Sequence, residues 1–177
     1  MELAEKARAI TQLDSLPEGR ETEIDVVEHL DDLVTDLELE FPTVDITLEG
    51  SDEALVEDVD PYTIDLAFRN VIDNAARHNV NDDPTVTITV EADERAVLVE
   101  IRDNGPGLPE IERRTLESGV ETSLEHSQGL GLWLTYWCVS LWGGELDLES
   151  GSDGTAVTIS IPKEPGKTVI ETSEPVA

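Results

Sequence analysis

A two-layer α/β sandwich, with a mixed and mostly antiparallel sheet and helices on one face, is the fold class this chain predicts. Three observations carry it. Apolar residues recur at helical spacing across residues 25–40, 61–78 and 129–142. Alternating apolar and polar residues mark strands at 44–48, 86–90, 96–101 and 146–161. Helical and strand segments interleave along the chain, and the later strands come as hairpins, which pair antiparallel.

The elements follow in order. Residues 2–13 read as a short helix with Leu3, Ala7, Ile10 and Leu13 on one side, and Leu16-Pro17-Glu18-Gly19 as a turn. Val26, Val27, Leu30, Leu33, Val34 and Leu37 predict a helix over 25–40 that Pro42 ends. Val44, Ile46 and Leu48 alternate as a strand. Asp60-Pro61 is a helix start, a capping carboxylate followed by proline in the first turn. That helix runs through Ile64, Ala67, Phe68, Val71, Ile72 and Ala75, with Asn79 as its expected cap. Val86, Ile88 and Val90, then Ala96 to Ile101, form a hairpin around residues 92–95. Residues 109–128 read as a mobile loop with one short helix. Gly129 to Trp142 is an apolar helix stopped by Gly143-Gly144, and a last hairpin turns at 151–154. The expected organisation is a helical stub at 1–16, one domain at 22–163 and a disordered polar tail at 164–177.

Composition excludes several classes. The 177 residues suffice for one domain with a real core. No apolar run approaches the roughly 18 residues that span a bilayer, and the first residues lack a signal-peptide core. The expected location is cytoplasmic, with any membrane anchor elsewhere in a longer protein. Forty-one acidic and 11 basic residues give a formal charge of −30. Nucleic acid and anionic membranes are poor partners for such a surface. Like charge at this density self-repels until salt screens it. With lysine scarcer than arginine, the balance reads as adaptation to a high-salt cytoplasm, as in halophilic archaea. Cys138 is the only cysteine and lies in an apolar helix, so it reads as a core residue. The three histidines have no zinc-like spacing.

Three segments carry chemistry: Asn70-Val-Ile-Asp-Asn74-Ala75, Asp103-Asn104-Gly105-Pro106-Gly107, and Gly129-Leu130-Gly131-Leu132. Asn70 and Asn74 lie four apart, so they share a helix face. Carboxamide oxygens ligate Mg²⁺, which keeps waters and phosphates in its shell. Asp103 ends a strand, where a carboxylate accepts from an exocyclic amine, and Gly105 and Gly107 permit a tight turn. Glycines ahead of a helix let phosphates reach backbone N–H groups at its positive end. The combination describes a nucleotide site. Two other motifs fail. Gly166-Lys167-Thr168 lacks the P-loop's first glycine, since Ile161 stands there. Leu134 replaces the last glycine of a dinucleotide fingerprint after Gly129 and Gly131.

In this order and spacing, the segments resemble the N, G1 and G2 boxes of the ATP-binding domain of sensor histidine kinases, within the GHKL superfamily. The likeness runs from about residue 25 to about 162. It implies a Bergerat-type ATP-binding fold, with ATP and Mg²⁺ as cofactors. By resemblance, Asn74 ligates Mg²⁺ and Asn70 lies beside it near the phosphates. Arg77 and His78 lie close to the phosphates too, with Arg77 suited to bidentate contact. Asp103 accepts from the adenine 6-amino group, where guanine presents a carbonyl that a carboxylate repels. Gly105 and Gly107 admit the base, the amides of Gly129, Leu130, Gly131 and Leu132 meet the phosphates, and Gly154-Thr155 matches the small G3 element near the adenine. Residues 1–13 become the tail of a dimerisation helix, so the partners implied are a phosphoacceptor domain within a homodimer and, indirectly, a response regulator.

The sequence also departs from the family's pattern. Ser127 stands where many members have a glycine, and the phenylalanine-proline-phenylalanine signature before the lid is missing from 113–122. Arg113 or Arg114 is a candidate for the γ-phosphate. Asn70 is an amide where hydrolytic relatives have a glutamate, which argues for transfer rather than hydrolysis. The family's acceptor histidine precedes an acidic residue; here His29, His78 and His126 precede Leu30, Asn79 and Ser127. The chain thus reads as a kinase catalytic domain whose acceptor lies elsewhere. A nucleotide-sensing interaction module and an anti-sigma-type serine kinase remain as alternatives. Trp133, Tyr136 and Trp137 read as core or interface packing.

Overall fold

The computed structural model describes residues 23–107 and 129–164. The expected N-terminal helix, the 109–128 loop with Arg113, Arg114 and Ser127, and the tail past 164 lie outside the described residues. Among the described residues, three helices, α1 (Val26–Glu40), α2 (Pro61–Arg77) and α3 (Gly129–Leu141), join seven strands. A five-stranded sheet has the order β2-β4-β5-β7-β6, from β2 (Asp45–Gly50), β4 (Thr85–Ala92), β5 (Ala96–Asp103), β7 (Gly154–Pro162) and β6 (Glu145–Gly151). Among the described strands only β2 and β4 pair parallel, with α2 in the connection between them. The sheet is mixed and mostly antiparallel, as the sequence predicts.

Register sends one set of side chains to the helices. Val90 pairs with Val99 and Val99 with Ile159; Ile88 pairs with Ile101 and Ile101 with Val157. All six are buried, with α1 and α2 supplying Leu30, Leu37, Ile64, Phe68 and Ile72. The opposite face carries Thr87, Arg102 and Glu149, then Thr89, Glu100, Thr158 and Asp147, because strand side chains alternate.

The helix starts follow from their caps. Asp60 accepts from the Tyr62 and Thr63 amides at 2.9 and 3.3 Å, ahead of Pro61. Asp25 caps α1 by accepting from Val27 at 3.0 Å, and the same oxygen accepts from the Ala54 amide at 3.0 Å. That second bond ties α1 to a two-strand ribbon, β1 (Ile24–Asp25) with β3 (Leu55–Val56), which no periodicity foretells because each strand is two residues long.

One detail differs from expectation. His78, not Asn79, caps α2: its amide bonds the Asn74 carbonyl at 3.1 Å, and the Asn79 side chain is engaged elsewhere. Of the three aromatics expected in core or interface packing, Trp137 packs against the core, while Trp133 and Tyr136 are 39% and 56% exposed. From α3, Leu132, Cys138 and Val139 enter the core, joined by Trp142 just past its end, whose indole donates to Thr63 Oγ1 at 2.9 Å. Burial pushes the Cys138 thiol up to about 12, which leaves it protonated and inert, in line with a core role.

Candidate nucleotide site

Asp103 ends β5, and the next residues turn sharply at Gly105 and Gly107. Its Oδ1 accepts from the Gly105 amide at 2.8 Å and from the Thr155 amide at 3.3 Å. Both bonds fall on one oxygen, so Oδ2 has no partner among the described residues. Half-burial raises the carboxyl pKa by desolvation, and the two amides pull it back down. A carboxylate with one oxygen fixed and the other open is arranged to accept from one amine.

The β6–β7 turn presses on this element. Gly154 has φ +126°, and a Cβ there would collide with the Asp103 carbonyl; a Cβ on Gly107, at φ +76°, would collide with the Gly151 carbonyl. Only glycine permits either approach. The structure therefore brings Gly154-Thr155 onto Asp103, although 52 residues separate Thr155 from it in sequence.

Asn70 and Asn74 are half-buried on α2. Asn70 Nδ2 donates to the Leu66 carbonyl at 2.7 Å, which leaves its amide oxygen for an incoming group. The Asn74 side chain makes no hydrogen bond among the described residues. Oxygen-donor carboxamides of this kind fit a hard cation that shares its shell with phosphate oxygens. Among the described residues no cluster of three or more His, Cys, Asp or Glu could hold a metal by itself. The first turns of α3 lie against α2: Thr135 Oγ1 is 3.0 Å from the Gly131 carbonyl and 3.4 Å from the Ala67 carbonyl. Gly131 and Leu132 are buried there, and Gly129 and Leu130 open the helix.

Arg77 is held by neighbouring side chains. Its guanidinium bonds Asp73 at 2.7 Å and Glu40 at 3.3 Å, and lies 5.2 Å from the Phe41 ring centroid. The Asp73 bond is the first cause that raises its pKa, so it is a permanent cation. In this arrangement Arg77 links the ends of α1 and α2. His78 is exposed at the helix end.

Sequence reasoning gave no site role to Asn79, Asn81 or Asn104. Asn104 Oδ1 accepts from Asn79 Nδ2 at 2.7 Å and from the Thr85 amide at 2.9 Å, and its Nδ2 donates to the Asp83 carbonyl at 2.9 Å. Asn81 Nδ2 donates to the Asn104 carbonyl at 2.6 Å. The one available signal was three asparagines in short polar turns, which says nothing about pairing.

Residues 59–165 match the family of histidine kinase-, DNA gyrase B- and HSP90-like ATPases. Among curated proteins, the chain is 28% identical over 123 residues to the signal transduction histidine-protein kinase AfsQ2 of Streptomyces coelicolor, covering 66% of this chain and 22% of that protein. It is 30% identical over 136 residues to the sensor-type histidine kinase PrrB of Mycobacterium tuberculosis, covering 75% of this chain and 30% of PrrB. The chain thus spans less than a third of these relatives' length. Among solved structures, the ATP-binding domain of PrrB from Mycobacterium tuberculosis superposes with TM-score 0.66 at 26% identity, over 82% of this chain and 98% of that one. A nucleotide-free catalytic domain of the histidine kinase ThkA gives TM-score 0.72 at 22% identity, over 83% and 100%. The matched segment is most of the described domain and contains all three boxes, so this chain belongs to the histidine kinase-, DNA gyrase B- and HSP90-like ATPase family.

Proposed function

We propose that this domain is the catalytic part of a sensor histidine kinase, binding Mg²⁺-ATP and passing the γ-phosphoryl to a histidine on a dimerisation helix outside the chain. The observation that carries the reading is Asp103, with Oδ1 fixed by two amides and Oδ2 open beside a glycine turn. That arrangement suits the 6-amino group of adenine and repels the carbonyl of guanine. Asn74 holds the cation, with the Asn70 oxygen beside it. Mg²⁺ supplies charge neutralisation on the phosphates, so the protein's task is positioning. The N–H groups that open α3 receive the phosphates at the positive end of the helix.

An amide at Asn70 cannot take a proton from water at ordinary pH, which favours transfer over hydrolysis. Arg77 and His78 stand at the end of the same helix; for Arg77 to reach a phosphate it must leave Asp73 and Glu40. In the longer protein the partners are a phosphoacceptor domain in a homodimer and, through it, a response regulator. The proposed setting is a cytoplasm of high salt, on the strength of the −30 charge.

The test is Mg²⁺-dependent nucleotide binding in molar KCl, then incubation with ATP and an acceptor helical hairpin. Binding that prefers ATP to GTP, and an acid-labile, base-stable phosphoprotein, are expected. An acid-stable product would indicate a serine kinase. ATP binding with no transfer to any acceptor would leave a sensing module.

A further inference from the structure

The asparagine cluster beside the Asp103 turn has no role in the fold's core and none in the chemistry above. Its geometry is specific. Asn104 follows Asp103 directly, and its side-chain oxygen receives two donors, Asn79 Nδ2 at 2.7 Å and the Thr85 amide at 2.9 Å. Its side-chain nitrogen reaches the Asp83 carbonyl at 2.9 Å. Its backbone is engaged as well: the amide donates to the Thr85 carbonyl at 3.3 Å, and the carbonyl accepts from Asn81 Nδ2 at 2.6 Å. Asn79 Nδ2 also lies 3.3 Å from the Thr85 carbonyl. One residue thus joins three separate pieces of chain: the turn after β5, the start of β4, and the residue that follows the α2 cap.

We propose that Asn104 and Asn79 form a clip that positions the Asp103 turn relative to α2, and so set how strongly the site selects its purine. The inference rests on the reading of Asp103 as the adenine contact. The physical case has two parts. The direction in which Asp103 Oδ2 points depends on the backbone of the residue that follows it, and Asn104 fixes that backbone. A displacement of about 1 Å is enough to lose a directed hydrogen bond. Secondly, α2 carries Asn74 one turn before its end and Asn79 just beyond it, so the clip sets the separation between the cation end of the site and the adenine end. The residue type fits the task. Asparagine accepts and donates from one planar group; aspartate lacks the donor and would turn a negative oxygen toward the Asp83 carbonyl, and alanine loses all three side-chain bonds. Asn104 and Asn79 are positioning residues, since they act through Asp103.

The experiment compares ATP and GTP binding by the full chain in molar KCl for the wild type, Asp103→Asn, Asn104→Ala, Asn79→Ala and the Asn79→Ala/Asn104→Ala double variant, with thermal melts alongside. The expected result is a roughly tenfold weaker ATP affinity in each single clip variant. The ATP-over-GTP ratio falls with it, and the double variant is scarcely worse than Asn104→Ala because the two share one bond. A purely structural role would lower the melting temperature and weaken both nucleotides alike. An unchanged ratio in folded Asn104→Ala and Asn79→Ala, with a lowered ratio in Asp103→Asn, overturns the clip and leaves the adenine site standing. A wild type with no preference for ATP overturns the adenine reading and the clip together. Should Asn104→Ala fail to fold, Asn79→Ala carries the comparison, because it leaves the Thr85 and Asp83 bonds in place.

Discussion

Asp103 is asked to be buried and charged at once. Desolvation raises its pKa, and the amides of Gly105 and Thr155 offset part of that cost. The consequence for pH has a definite sign. Between the unfolded and the raised folded pKa the native state binds the extra proton, so this group's contribution to stability falls as pH rises through that window. Nucleotide binding runs the other way, because a protonated carboxyl no longer accepts cleanly from an amine. ATP affinity is therefore expected to drop on acidification at a higher pH than an ordinary aspartate would dictate, with Asp103→Asn abolishing the transition in a titration series. The same variant keeps an oxygen for the two amides, so the ligand-free domain remains folded. ATP affinity falls about 10- to 100-fold, the range for losing a charged hydrogen bond. An unchanged affinity would remove Asp103 from the site. Asp103 itself was legible in the sequence as a strand-ending carboxylate before a glycine turn. Which of its oxygens is free was not, because Thr155 reaches it from a distant hairpin.

At the scale of elements, α2 is the piece that sequence describes best. Asp60-Pro61 starts it, the apolar spacing sets its buried face, and the four-residue step aligns Asn70 with Asn74. Asp60→Ala should cost about 1 kcal/mol in urea unfolding, a typical N-cap loss. A variant of unchanged midpoint would mean the cap is satisfied by something else. The end of α2 is less legible. By resemblance Arg77 is a phosphate contact; beside its local partner Asp73, it meets Glu40 and Phe41 from the end of another helix. The β6–β7 hairpin shows the converse dependence. Gly154→Ala places a methyl against the Asp103 carbonyl in a backbone conformation that L residues rarely adopt. Overpacking of this kind costs about 1–3 kcal/mol. ATP binding should be lost along with it, as the turn is pushed off Asp103. Retained ATP affinity in folded Gly154→Ala would show that the hairpin and the site are independent.

For the whole molecule the dominant number is the charge of −30. Repulsion among so many carboxylates opposes compaction and is not answered by ion pairs: the described bridges, such as Arg69–Asp36 and Arg102–Glu100, are exposed and individually weak. Moving from about 0.1 M to about 1 M salt shortens the Debye length from about 10 Å to about 3 Å. The melting temperature is accordingly expected to rise steeply with KCl over that range. A flat profile in calorimetry would mean that the acidic surface carries no stability cost and would remove the physical basis of the high-salt reading.

The sequence by itself determined the fold class, the starts of α1 and α2, the alternating strands and the residues of the three boxes. Each depends on neighbours within a few positions, through side-chain periodicity, caps and turn glycines. Tertiary structure alone decided the β1–β3 ribbon, the seating of Thr155 on Asp103, the capture of Arg77 and the Asn79–Asn104 bond. Those are contacts between groups 25 or more residues apart. Hydrogen bonds and ion pairs between distant segments leave no period in a sequence; they exist only once burial of the core has fixed which ends meet.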